Sequence, residues 1–329
     1  MSETITNTND DKVAQGGDDE DNEEEEQKYE TIDEYSMGHS SPIPPFFNEI
    51  QENTISFLPS GSHMTSGPTQ GKLLTTLTSM TREGRVLEIG SFTGYATACF
   101  LQGSANAGEA LDVGNGGRDG GPFVLSLERD SRALGIASGH LRVMEEFGVG
   151  MDAAMEAKKM RGNNGGIMPI NEMIGDRQTF NYKNISTCEL LRVSDALATI
   201  EEMAYYNSNT TTAPFDIVFV DADKTRLLDY VEACVKNDRI LKKGGLIIVD
   251  NTLWKGIVLE ASHNGFTATA ATTAVEEDQS MDAKDAKRSR RARKLAGIMH
   301  DFNQAIVKDT RVEVLLLPLR DGLSAIRKR

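Results

Sequence analysis

Residues 215–224 read FDIVFVDADK, and residues 245–251 read GLIIVDN. Each segment is an apolar, β-branched run that ends abruptly in oxygen-bearing side chains, a pattern typical of a buried strand followed by a loop. The stretch between them has the length of a helix and closes with KKGG at 242–245, which predicts a helix end and a turn. Together they predict a β-α-β unit whose strand-end acids lie at the edge where open α/β sheets bind ligands.

The strand-end side chains allow two interpretations. Asp221, Asp250 and Asn251 offer three hard oxygen ligands, which suit Mg²⁺ and also Ca²⁺ or Mn²⁺, and Lys224 would lie one turn away. Alternatively, strand-end acids only cap the helices that follow them. A single Asp favours capping, whereas the whole set favours a cation site.

The rest of the chain repeats this alternation of strands and helices. Further strands are predicted at 85–90, 123–128, 188–193, 312–317 and 323–327, and the Asp321-Gly322 pair predicts an antiparallel hairpin between the last two. The sequence therefore predicts an α/β protein with one doubly wound, seven-stranded sheet. The sheet would be mostly parallel, with an antiparallel last strand and helices on both faces.

Charge divides the chain into two parts. Of the net charge of -15, residues 1–35 contribute -12, and eight of the nine residues 18–26 are acidic. A self-repelling block with no apolar residues cannot build a core, so we predict a disordered acidic tail over residues 1–45. Residues 46–329 are expected to form one domain, with loop insertions near 103–121, 150–181 and 260–283.

Targeting signals and cysteines indicate a reducing compartment. No apolar run follows a basic start, and no segment approaches the length of a membrane span. Cys99, Cys188 and Cys234 are widely spaced within or beside apolar segments, which predicts buried free thiols. We therefore expect a cytoplasmic protein that makes no use of a membrane.

A glycine turn follows the first predicted strand. Residues 88–94 read EIGSFTG, which matches neither the dinucleotide fingerprint nor a P-loop and therefore disfavours an NAD-dependent enzyme. Glu88 precedes the turn and suits an ammonium group better than a phosphate, and Glu128 ends the next strand, where it could bind a ribose diol. A ligand with a ribose, an ammonium group and no phosphate is S-adenosylmethionine.

With these segments the chain resembles the metal-dependent class I O-methyltransferases of the caffeoyl-CoA and catechol type. The resemblance rests on LEIGSFTGY at 87–95, FVDADK at 219–224, DNTLWKG at 250–256 and RVEVLLLPLRDG at 311–322, and it covers roughly residues 60–329. It implies a Rossmann-like methyltransferase fold, S-adenosylmethionine as cofactor and a homodimer. The acceptor would be a phenolic vicinal diol, either free or as a CoA thioester.

The resemblance also implies roles for particular residues. Asp221, Asp250 and Asn251 would bind the metal, and Lys224 would remove the proton from the acceptor hydroxyl. The cofactor would be held by residues on several loops, namely Met64, Ser66, Glu88, Gly90, Glu128, Ser194, Asp195, Asp221 and Asp223.

Four alternatives stay open. The run 284–294 has seven Lys or Arg in eleven residues and is either a solvated helix face or a phosphate-binding surface, for a CoA acceptor or RNA. An RNA base-hydroxyl methyltransferase of the same fold is disfavoured by the charge of about -3 outside the tail, which makes nucleic acid an unlikely partner. A non-catalytic cofactor-binding scaffold is disfavoured by the intact acids and Lys224. Trp254 would either form a wall for the acceptor ring or fill the core of its loop.

Overall fold

The computed structural model describes residues 29–111, 120–149, 176–205, 213–264 and 283–329. The chain divides into two units, Met1–Ser40 and Ser41–Arg329. In the first unit, the described residues contain the helix α1 (Ile32–Gly38), which starts at a capping box formed by Thr31 and Glu34. This helix departs from the prediction of a disordered tail through residue 45, because charge counting overlooks such local hydrogen bonds. The acidic block itself lies outside the described residues.

The second unit alternates helices with strands. Its helices are α2 (Phe46–Phe57), α3 (Pro68–Ser79), α4 (Tyr95–Leu111), α5 (Ser131–Val149), α6 (Ala196–Tyr205), α7 (Leu227–Val235), α8 (Val258–Asn264) and α9 (Ala283–Ile306). Short 3₁₀ helices occupy Ser62–Met64, Lys224–Arg226 and Trp254–Gly256. Its strands are β1 (Arg85–Ile89), β2 (Phe123–Glu128), β3 (Arg177–Tyr182), β4 (Ser186–Arg192), β5 (Phe215–Val220), β6 (Leu241–Asp250), β7 (Val312–Leu317) and β8 (Leu323–Lys328).

The strands form one mixed sheet in the order β3-β4-β2-β1-β5-β6-β8-β7. The five strands β4, β2, β1, β5 and β6 run parallel, while β8 is antiparallel to both β6 and β7. The predicted α/β architecture and the antiparallel closing pair are confirmed. The predicted count of seven strands is wrong, because the described residues form a sheet of eight.

The eighth strand is β3, which pairs antiparallel with β4 at the edge of the sheet. The prediction placed this segment at the end of the 150–181 insertion. Only Phe180 and Tyr182 of β3 are buried, and they alternate with polar residues. An edge strand with one buried face has a weak sequence signal, and this explains the error. Residues 150–175 of the predicted insertion lie outside the described residues.

The other two predicted insertions also overlap with helices. Helix α4 continues to Leu111, so residues 103–111 are helical. A Cβ atom at Gly103 would lie 2.6 Å from the Thr75 carbonyl oxygen of α3, and one at Gly108 would lie 2.6 Å from Pro122. These glycines allow close packing, although the glycine-rich composition predicted a loop. Helix α8 reaches Asn264 and α9 begins at Ala283; residues 112–119 and 265–282 are not described.

The predicted helix end at 242–245 is wrong, because this segment lies inside β6. Helix α7 ends at Val235, and β6 begins at Leu241 beside Phe215. The pairing register then shifts before Ile217, where Gly244 has a φ of +78°. The glycines therefore form an irregularity within a strand, and Lys242 binds Asp216 of β5 at 2.7 Å.

Apolar residues cover both faces of the sheet. On one face, β-strand residues pack against α6, α7 and α9, with Ile200, Val231 and Phe302 buried; on the other, Phe47 and Phe100 are buried. Cys99, Cys188 and Cys234 are buried free thiols, as predicted. Among the described helices, none combines the length and the apolar character needed to cross a bilayer. Because both faces of the sheet are packed with apolar residues, polar side chains lie at the carboxyl ends of the parallel strands.

Candidate active site

The predicted site residues of the parallel strands come together at one edge of the sheet. Backbone hydrogen bonds join the strand ends: Gly90 donates to Leu127 and Asp221 donates to Ile89, each at 2.9 Å. Val193, just before Ser194 and Asp195, donates to Glu128 at 2.9 Å. The strand order reverses between β1 and β5. In such sheets, ligands usually bind at the carboxyl ends of the strands at this point.

A cluster of acids and one lysine lies at the ends of β5 and β6. Lys224 Nζ donates to Asp221 Oδ1 at 2.5 Å and to the Asp250 carbonyl oxygen at 3.3 Å. Asn251, the next residue, is partly buried and has a φ of +66°. The structure therefore assembles the four residues that the sequence predicted as metal ligands and base.

Asp250 is the most buried acid of this cluster, with 5% of its surface exposed. Its Oδ1 accepts from the Asn251 N–H at 2.6 Å, and its Oδ2 accepts from Gln70 Nε2 at 2.8 Å. Burial and the neighbouring Asp221 raise the pKa of Asp250 to about 6, although Lys224 and both donors oppose that rise. Two donors thus fix the orientation of a carboxylate that is costly to ionise.

Gln70 is a site residue that the sequence reasoning missed. It is 2% exposed and lies on the buried face of α3, together with Gly71, Leu74 and Thr78. An uncharged polar side chain on an otherwise core-facing helix stripe needs a buried hydrogen-bond partner. The position of Gln70 on this stripe was the signal that the sequence offered, but it does not identify Asp250 as the hydrogen-bond partner.

The cluster fits a hard divalent cation. Asp221 and Asp250 bring two negative charges against one from Lys224, and each Asp250 oxygen retains a lone-pair direction beyond its single donor. Within the described ranges, no group of three or more His, Cys, Asp or Glu side chains has metal-binding geometry. The donor set would consist of two carboxylates and the Asn251 amide.

The loop after β6 is held by the β7–β8 turn. The Asp321 carbonyl accepts from Leu253 N at 2.8 Å and from Trp254 N at 3.1 Å, and the Gly322 carbonyl accepts from Thr252 N at 3.1 Å. Trp254 is partly buried against the apolar cluster on the α9 face of the sheet. This packing favours the interpretation that Trp254 fills the core of the loop.

The glycine turn after β1 is tied to both neighbouring strands. Gly90 has a φ of +96°, and a Cβ atom there would collide with the Asp221 carbonyl, so the backbones approach closely only because this residue is glycine. Glu128 Oε2 accepts from Phe92 N, and its Oε1 accepts from Arg129 N and Asp130 N, all at 2.8 Å. Burial nevertheless raises the pKa of Glu128.

Glu88 lies beneath this turn and is completely buried. Its Oε2 accepts from Thr97 and Ser126 at 2.5 Å each, and burial raises its pKa to about 8. Its Oε1 and the hydroxyl of Ser91 have no hydrogen-bond partner among the described residues. Buried unpaired acceptors on a glycine turn fit a ligand that brings hydrogen-bond donors or a cationic group.

Two helices hold the same turn from outside. Thr54 of α2 donates to the Ile50 carbonyl at 2.7 Å, so its oxygen accepts from the Thr93 hydroxyl at 2.8 Å. His140 of α5 donates from Nδ1 to the Thr93 carbonyl at 2.7 Å. Burial lowers the pKa of His140 to about 4, which keeps the ring neutral. The sequence reasoning did not predict these residues.

The remaining predicted cofactor residues lie nearby but differ in environment. Met64 is 53% exposed and Ser66 is buried, and both precede α3. Asp195 caps α6 through Leu197 N and binds Arg226, whose hydrogen bond lowers its pKa. Asp223 caps the following 3₁₀ helix through Thr225 N. For these two acids the structure shows the capping role, and cofactor contact stays a prediction. Ser194 is exposed.

The predicted basic run begins α9. Its described side chains, at 287–294, are exposed or partly exposed, while Ala296 and Met299 further along the helix are buried. The run is therefore a solvent-facing helix surface, and phosphate recognition stays a prediction.

Comparisons with known proteins agree with this geometry. A family model described as O-methyltransferase matches residues 37–113 and 182–329. O-methyltransferase ankF of Aspergillus thermomutatus is 24% identical over 298 residues, covering 90% of this chain and 92% of that protein. Caffeoyl-CoA O-methyltransferase 3 of Nicotiana tabacum is 24% identical over 304 residues, covering 91% and 89%.

Two solved structures share the fold. The SAH-bound methyltransferase PaMTH1 of Podospora anserina aligns with a TM-score of 0.57 and 18% identity over 90% of this chain and 92% of that one. The O-methyltransferase of Bacillus cereus in complex with SAH aligns with a TM-score of 0.54 and 20% identity over 91% and 97%. The predicted Rossmann-like fold is confirmed.

Proposed function

The chain belongs to the O-methyltransferase family, and from that premise we propose that it methylates one hydroxyl of a vicinal diol on a small phenolic acceptor, with the help of a divalent cation. The chain is an S-adenosylmethionine-dependent enzyme. The observation that carries the proposal is the contact of Lys224 with Asp221 and Asp250, directly beside the glycine turn.

S-adenosylmethionine supplies the methyl group, as an electrophilic carbon on a sulfonium. The residues proposed to hold it are those at the ends of β1 and β2, above all Glu88, Gly90 and Glu128. The unpaired Glu88 Oε1 and Ser91 hydroxyl support this position, because a bound ammonium group or hydroxyl would satisfy them. Met64 and Ser66 are proposed to cover the cofactor from the segment before α3.

A divalent cation on Asp221, Asp250 and Asn251 would lower the pKa of a diol hydroxyl bound beside it. Mg²⁺ suits this set of oxygen ligands. Gln70 and the Asn251 N–H keep the Asp250 carboxylate in one orientation. The protein's own part in this step is to hold these oxygens at the edge of the sheet.

Lys224 is the proposed general base. In the structure its ammonium donates to Asp221, so the side chain is already held at the edge where an acceptor hydroxyl would lie. To act as a base, Lys224 must first lose one proton and then take the hydroxyl proton of the acceptor. The resulting oxyanion is the nucleophile, and holding it close to the methyl donor would supply much of the acceleration.

The exposed basic surface at 287–294 favours an anionic acceptor, of which a CoA thioester is one example, over an unsubstituted phenol. Relatives named caffeoyl-CoA O-methyltransferases support the same choice. A homodimer and a cytoplasmic location also stay predictions.

The proposal is tested with purified protein, S-adenosylmethionine, Mg²⁺ or EDTA, and either catechol or caffeoyl-CoA as acceptor. Methyl transfer should require the metal, and Asp250→Asn should lower kcat/KM by about 100-fold or more. Asp216→Asn is the matched control, because Asp216 lies at the opposite end of β5 and binds Lys242. Equal activity with and without metal, or full activity of Asp250→Asn, would refute the metal-assisted mechanism.

A further inference from the structure

Positive-φ residues concentrate at the edge of the sheet that carries the site. In the described part of the chain, the non-glycine residues with positive φ are Phe92, Asn251, Trp254, Lys255 and Arg320 at this edge, and Lys183 and Asn184 elsewhere. Such conformations are uncommon for non-glycine residues and cluster at functional sites. Arg320, with a φ of +50°, is the member of this group whose side chain contacts the segment before α3.

The turn that carries Arg320 lies next to the strand end of Asp250, and the Arg320 guanidinium reaches the segment before α3. Asp250 pairs directly with Leu323, which in turn pairs with Leu317, so the turn at 318–322 closes one to two strand spacings of about 4.8 Å from Asp250. The same turn holds the loop after Asp250 through the Asp321 carbonyl. Arg320 therefore lies between the loop after Asp250 and the segment before α3.

The guanidinium of Arg320 is available to a ligand. Its side chain is exposed, and Nη1 donates to the Thr65 carbonyl at 3.2 Å. Among the described residues, no carboxylate lies within ion-pair distance of it, whereas Arg226, Arg311 and Arg327 each bind at least one. A guanidinium has five N–H donors in a planar fork, so most of them stay available for a carboxylate.

We propose that Arg320 determines acceptor specificity by binding an anionic group on the acceptor ring. The acceptor would then be an aromatic vicinal diol that carries a carboxylate, with the diol at Asp221 and Asp250 and the carboxylate at Arg320. This inference rests on the proposed function.

The experiment compares 3,4-dihydroxybenzoate with neutral catechol on the wild type, Arg320→Gln and Arg320→Lys. In Arg320→Gln, the ratio of kcat/KM for dihydroxybenzoate to that for catechol should fall about 10- to 100-fold. Arg320→Lys should recover part of this ratio, since it keeps the charge but not the fork. Arg132→Gln is the matched control: Arg132, in the first turn of α5, is also exposed and also donates to a carbonyl, that of Phe57.

Each outcome decides between interpretations. Proportional losses on both acceptors would mean that Arg320 only supports the segment around Thr65, and the inference would be overturned. If the wild type methylates neither of these acceptors nor caffeoyl-CoA, the proposed function fails. Calorimetric binding of dihydroxybenzoate to the protein with SAH and Mg²⁺ then decides on Arg320 separately. Binding that is lost in Arg320→Gln supports the inference, and absent or unaltered binding overturns it.

Discussion

Gln70 shows how one uncharged side chain supports a charged site. Its amide is the side-chain donor to Asp250, and it comes from α3, which lies 180 residues earlier in the chain. Replacing Gln70 with Leu should weaken Mg²⁺ binding about 10-fold, because a carboxylate without its partner is free to rotate and is costly to keep buried. Calorimetric titration of Mg²⁺ measures this without any turnover.

Gln102 of α4 serves as the control for that change. It is partly buried beside α3 but has no contact with the acid cluster, so Gln102→Leu should bind Mg²⁺ as the wild type does. If both variants lose the same affinity, the loss reflects general damage to the helix pair and Gln70 has no orienting role.

His140 makes stability depend on pH. Its pKa is about 4 in the folded protein and 6.5 ordinarily, so between these values the unfolded chain binds a proton that the folded chain does not. The contribution of the neutral His140 ring to the free energy of unfolding is complete above pH 6.5. This contribution decreases by up to about 3 kcal/mol as the pH drops towards 4. Relative to His140→Gln, the wild type should therefore lose this amount between pH 7.5 and pH 4.

Urea unfolding at several pH values provides the measurement. His263→Gln is the control, since His263 is exposed on α8, and it should follow the wild type. Parallel curves for the wild type and His140→Gln would show that the buried ring does not titrate in this way.

At the scale of elements, the β7–β8 hairpin supports the loop that carries Asn251. Gly322 has a φ of +90°, and a Cβ atom there would lie 2.5 Å from Leu253 N. Gly322→Ala should therefore move the loop, destabilise the protein by about 1–3 kcal/mol beyond the backbone strain alone, and weaken Mg²⁺ binding.

Gly256 separates the two effects of that substitution. It has a φ of +80°, but a Cβ atom there would meet nothing within 4 Å. Gly256→Ala therefore reports backbone strain alone, and denaturant unfolding of both variants gives the difference. Equal losses would show that the hairpin does not press against the loop.

At the scale of the whole molecule, the sequence predicted what depends on local pattern. The five parallel strands are rich in apolar residues, and the strand-end acids follow from the edge at which such strands finish. Segments whose secondary structure depends on packing were not predicted correctly. Strand β3 is half exposed, 242–245 became a strand irregularity, and Gly103 and Gly108 are packing glycines within α4.

The site was predictable to the same extent. Asp221, Lys224, Asp250 and Asn251 are close in sequence to their strand ends, so a strand assignment alone brings them together. Gln70, His140 and Arg320 act across the sheet or across helices, and a single sequence has no periodic signal for such pairs.

The position of β8 has a consequence for the order of events during translation. Residues 323–328 are synthesised after β7 but lie between β6 and β7 in the sheet. Until they leave the ribosome, β7 has no neighbouring strand, and the loop at 250–254 lacks the Asp321 and Gly322 carbonyls that hold it. The loop that follows Asp250 therefore gains its final hydrogen bonds only when the hairpin emerges.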